Sequence, residues 1–76
     1  MKLVDLKAKI LANETVAVDM MRNPADLAEW VVWVRVQDGK SFLLMNDSER
    51  VIATTDVNEV LLLLRSQGVK QANIIL

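Results

Sequence analysis

The 76-residue chain contains no cysteine, no histidine and no tyrosine. Without cysteine it forms no disulfide, and without cysteine or histidine it lacks the thiolate and imidazole ligands that hold zinc. The same absences remove the usual proton shuttles and the strongest nucleophiles. Ser41, Ser48 and Ser66 have no candidate base near them in sequence. The carboxylate pairs Asp26/Glu29 and Asp47/Glu49 read as capping and turn residues, and a divalent-ion loop would need more acids and a glycine at set spacing. No catalytic residue, metal ligand or cofactor site is therefore expected. Glycine occurs twice and proline once, so each should mark a turn or a helix end.

Charge of one sign is also missing. Nine basic and ten acidic side chains leave a net charge of −1, and no segment has the clustered cations that phosphate neutralisation requires. Nucleic acid is a disfavoured partner on this ground. The longest apolar runs, Trp30–Val34 and Val60–Leu64, are five residues each, far short of a membrane span. The opening "MKLVDLKAKILA" begins as a secretory signal would, but Asp5, Lys7 and Lys9 interrupt it. A cytoplasmic protein that does not enter membranes is expected.

What the chain has in abundance is apolar side chains. They make up 53% of it without counting glycine, against roughly 45–50% with glycine included in typical domains. A chain of this size buries only about 60% of its extended surface. Small domains commonly add a disulfide, a metal or a second chain. With the first two gone, a protein partner, beginning with another copy of itself, is the expected source of extra burial.

One triplet resembles a chemical motif. Gly39-Lys40-Ser41 could close a phosphate-binding loop, but the pattern needs a glycine at position 34, where Val34 stands. It also needs a following helix to present its amides to the phosphate, whereas Ser41-Phe42-Leu43-Leu44-Met45 continues a strand-like run. Asp38-Gly39 between two apolar runs predicts a two-residue hairpin turn instead.

The rest of the chain reads as alternating elements. Leu3, Leu6 and Ile10, with Val4, Ala8 and Leu11 beside them, predict a helix over residues 2–12, stopped at Asn13. Val16, Val18 and Met20 alternate, which predicts a strand over 15–21. Asn23-Pro24-Ala25-Asp26 has the form of a helix start, with proline at the first helical position, and predicts a short helix before Trp30. Residues 30–46 form the hairpin, and 50–54 a third strand. Asp56-Val57-Asn58-Glu59 reads as a capping box that opens a helix over 57–67, and Gly68 ends it. Residues 71–76 then form a C-terminal strand, expected to run parallel to strand 50–54 as a crossover unit does. The fold class is α+β: a single domain, residues 1–76, with a mixed sheet of about four strands packed by helices 2–12 and 57–67.

The order helix, three antiparallel strands, helix is similar to that of the double-stranded-RNA-binding domain. That family opens its last helix with a run of lysines, whereas this helix opens Asp56-Val57-Asn58-Glu59, so no residue role carries over.

The expected register of the hairpin carries the functional reading. With Asp38-Gly39 as the turn, Val36 faces Ser41, Arg35 faces Phe42 and Val34 faces Leu43. Trp30, Val32, Val34, Val36, Leu43 and Met45 then form a core face. Val31, Trp33, Phe42 and Leu44 project from the other face, with Arg35 among them. A one-sided sheet should be polar there. Aromatics and arginine are enriched at interface centres, so Val31, Trp33, Arg35, Phe42 and Leu44 are the expected interaction site. In the simplest alternative, the first helix or residues 15–21 cover that face within one molecule, and Arg35 stacks on Phe42. The runner-up function is single-stranded nucleic-acid binding, with Trp33 and Phe42 stacking bases and Arg35 and Lys40 meeting phosphates.

Overall fold

A computed structural model describes residues 1–76. In chain order it has α1 (Leu3–Leu11), β1 (Val16–Asn23), β2 (Asp26–Val36), β3 (Ser41–Leu43), β4 (Ala53–Thr54), α2 (Val57–Ser66) and β5 (Asn73–Ile74). The class is α+β, with one mixed five-stranded sheet in the order β3-β2-β1-β5 and with β4 also paired to β2. β1 to β4 pair antiparallel, while β5 runs parallel to β1. No helix is long and apolar enough to cross a membrane.

Each helix end is closed by identifiable bonds. At the start of α1, the Leu3 amide donates to the Met45 carbonyl, the Asp5 and Leu6 amides donate to the Lys2 carbonyl, and the Val4 amide donates to Asp47 Oδ1 at 3.1 Å. The Lys2 amide donates to Asp5 Oδ2 at 3.3 Å, so the four amides that lack a regular intrahelical partner, those of Lys2, Leu3, Val4 and Asp5, are all satisfied, one of them by a side chain 43 residues away. At the other end, Asn13 takes the left-handed conformation (φ 61°), its amide donates to the Ile10 carbonyl and that of Glu14 to Lys9. α2 ends in the same way at Gly68 (φ 95°), with the Gly68 amide on Arg65 and the Val69 amide on Leu64. Both are Schellman stops. A methyl group on Gly68 would stand 3.1 Å from Ile10 Cγ2, so the C-terminal ends of the two helices meet there. α2 begins at Asp56, whose side chain accepts from the Asn58 amide at 2.9 Å. Glu59 does not reach back to Asp56 directly. It accepts from the Thr54 hydroxyl, which itself accepts from the Asp56 amide.

The core lies on one side of the sheet. Leu6 of α1 and Val60 and Leu64 of α2 pack with Val18, Met20, Trp30, Val32, Val34 and Leu44. Both helices therefore cover the same sheet face, and residues 16, 18 and 20 of β1 share it with 30, 32 and 34 of β2 through the observed register.

Three expectations are corrected. Asn23-Pro24-Ala25-Asp26 opens no helix; it is the turn between β1 and β2, with Asn23 paired to Asp26. Asn23 Oδ1 accepts from the Ala25 amide and Asp26 Oδ1 from the Ala28 amide. An Asn before a proline makes this same short bond in a turn as at a helix start, and the β-branched run that follows decides for the strand.

The hairpin loop has three residues rather than two. Val36 donates to Lys40, and Gly39 donates back to Val36, both at 2.9 Å. A two-residue turn would force both Asp38 and Gly39 to positive φ, whereas this loop needs it only at its third residue, where Gly39 sits at φ 90°. The register is consequently Val34↔Phe42 and Arg35↔Ser41, one residue away from expectation. Residues 46–50 repeat the loop, with Asn46 donating to Arg50 and Glu49 donating to Asn46. Here the left-handed third residue is Glu49, at φ 64°.

The crossover β4-α2-β5 is present, but β5 lies beside β1 and not beside β4. β2 already occupies β4's paired side, and β5 instead takes the edge of β1 that β2 leaves free, through Asp19↔Asn73 and Met20↔Ile74.

Candidate protein-interaction surface

Strand alternation and register define the sheet face that carries no helix. Ala17, Asp19 and Met21 of β1 pair with Arg35, Trp33 and Val31 of β2. Leu43 of β3 flanks Trp33, and Ala53 of β4 flanks Val31. None of these residues belongs to the helix-side core or packs against it. Val31 is nevertheless only 2% exposed, on the central strand between Met21 of β1 and Ala53 of β4. Trp33, Met21 and Leu43 are half-buried and Arg35 is exposed. No helix of the chain lies over this face, so the arrangement has two layers rather than three.

The expected site residues divide between the faces. Val31, Trp33 and Arg35 lie together on the open side. Phe42 and Leu44 do not join them, because a one-residue change of register exchanges the faces of a strand. Leu44 is fully buried in the core. Phe42 is 41% exposed and lines a groove of about 820 Å³ beside α1, with Ala8, Ala12, Val36 and Lys40. The expected pairing of Arg35 with Phe42 is replaced by Arg35 with Ser41. The chain's cation–π contact lies elsewhere, with Arg22 4.2 Å from the centroid of Trp30. Trp33 with Arg35 and Phe42 with Lys40 thus stand on opposite sides of the sheet, and the four do not form one stacking and phosphate-contacting surface.

Three of the acids around the groove and one of its lysines have partners within the chain. Lys9 pairs with Glu14 at 3.6 Å, Asp38 accepts from the Lys40 amide and Asp5 from the Lys2 amide. On the open face, Asp19 accepts from Asn73 Nδ2 at 2.9 Å, and Glu29, beyond Val31, accepts from Asn23 Nδ2 at 3.2 Å.

Sequence reading missed Met21, Asp19, Leu43 and Asn73. The first two were within reach, since residues 17, 19 and 21 alternate against Val16, Val18 and Met20. Leu43 depended on the loop type, and Asn73 on which strand β5 joins. No family model, curated protein or solved structure matches this chain.

Proposed function

We infer that this chain is a small, non-enzymatic, cytoplasmic protein-interaction domain that associates with itself through the open face of its sheet. One observation carries the reading: Trp33, together with Met21, Val31 and Leu43, occupies a sheet face that neither helix covers. An antiparallel sheet exposed to water on one side carries mostly polar residues there, whereas this face centres on a half-buried tryptophan flanked by Val31 and Leu43, with Met21 next to Val31 and with the charges Asp19 and Arg35 on its other two sides. Burying this apolar cluster against an identical one removes it from water on both copies at once. The nucleic-acid alternative has less support, because its aromatic and cationic residues are divided between two faces.

Sedimentation equilibrium tests the reading. The wild-type chain is expected to self-associate, and Trp33→Ala, at the centre of the contact, to weaken association by about 2–4 kcal/mol. A wild-type chain that stays monomeric at high micromolar concentration refutes it.

A further inference from the structure

We propose that the open face closes on a second copy as a symmetric pair in which Arg35 of each copy meets Asp19 of the other. This rests on reading that face as a self-association surface. It adds the register of the contact, its closure at two copies, and a role for Asp19.

The face is self-complementary in charge. Asp19 stands beside Trp33 on the neighbouring strand, and Arg35 is two residues beyond Trp33 on the same strand. Neither has a counter-charge within its own copy, since the chain's ion pairs are Lys2–Glu49 and Lys9–Glu14. Asn73 Nδ2 donates to the Asp19 carboxylate from β5, which fixes the position of the anion on this face. Asn73 is thus a positioning residue.

The geometry follows from sheet dimensions. With strands about 4.8 Å apart and about 3.3 Å per residue, Asp19 and Arg35 lie about 8 Å apart on a diagonal. A two-fold axis between the sheets that bisects this diagonal exchanges the two positions. Each cation then lies over the opposite anion. The same axis passes close to Trp33 and Leu43, so each of these meets its own counterpart. The strands of the two sheets cross near a right angle, one of the two ways in which sheets pack. A contact of this kind uses the whole patch and ends at two copies.

The test is a charge exchange. Sedimentation velocity is run on the wild-type chain, on Arg35→Glu, on Asp19→Lys and on their equimolar mixture, with circular dichroism to verify folding. The wild type should be dimeric. Each variant alone should associate about tenfold or more weakly, because like charges now face each other. The mixture should recover a one-to-one dimer, because both contacts again join opposite charges. If Asp19→Lys does not fold, Asp19→Asn replaces it, with weakened and less salt-sensitive association expected. Single variants that associate like the wild type overturn the register but leave self-association standing, as does a mixture no tighter than its components or an Asp19→Asn chain that is unchanged. Assembly beyond two copies overturns the closed symmetry. A monomeric wild type removes both this proposal and the reading beneath it.

Discussion

Replacing Asp47 with alanine removes the acceptor for the Val4 amide, 43 residues away across the fold. That amide is one of the four that α1 leaves without an intrahelical partner, and a side chain in this role contributes about 1 kcal/mol. The carboxylate also carries negative charge to the positive end of the helix, an effect of about 0.3–1 kcal/mol that salt screens. Asp47 is exposed, so the lower part of both ranges applies, and the expected loss is about 1 kcal/mol. For a domain of this length that lowers the melting temperature by roughly 4–8 °C. Asp47→Asn keeps an acceptor oxygen and loses the charge, so its loss should be about half as large and should shrink as salt is raised. Thermal unfolding followed by circular dichroism at low and high salt measures both, and hydrogen exchange at the Val4 amide reports the bond itself. Glu14→Ala is the control: it breaks the exposed Lys9–Glu14 pair and should cost only a few tenths of a kcal/mol. The account of α1 fails if Asp47→Ala melts with the wild type, or if exchange at Val4 does not accelerate.

The paired loops predict opposite responses. Gly39→Ala should destabilise by about 1–2 kcal/mol despite the open space around it, because alanine resists the left-handed conformation. Glu49→Asn should raise the stability by about 0.5 kcal/mol, with relief at φ 64° outweighing loss of the exposed contact to Lys2. Urea unfolding checks both, and a stabilised Gly39→Ala would refute the loop assignment. The register is tested by neighbours: Leu44→Ala should cost about 3 kcal/mol as a core deletion, whereas Leu43→Ala should cost much less in stability and weaken self-association. Equal losses of stability from the two, measured in urea, would contradict the observed pairing.

Much of the architecture was legible because it is written in local chemistry. Asp56 and Gly68 bracket α2 through bonds that their own neighbourhoods supply, and Asn13 stops α1 in the same way. Alternation placed β1, and the apolar stripe of Val60 and Leu64 marked the buried side of α2. The site was half legible for a related reason. Val31, Trp33 and Arg35 lie on one strand, so their common face follows from the two-residue period alone. Phe42 and Leu44 had to be carried across a turn. Asp-Gly suits both a two-residue and a three-residue loop, and the difference of one residue reverses the second strand.

Composition and periodicity by themselves determined an α+β domain without disulfides or histidine chemistry, two amphipathic helices, and a central strand apolar on both faces. Only the tertiary structure decided that Asn23-Pro24 makes a turn, that β5 joins β1, and that Leu44 belongs to the core. Helix caps and strand alternation depend on bonds within a few residues. Register, strand order and the uncovered face depend on segments that meet only after the chain has folded, where burial of the whole set selects among arrangements that are locally equivalent.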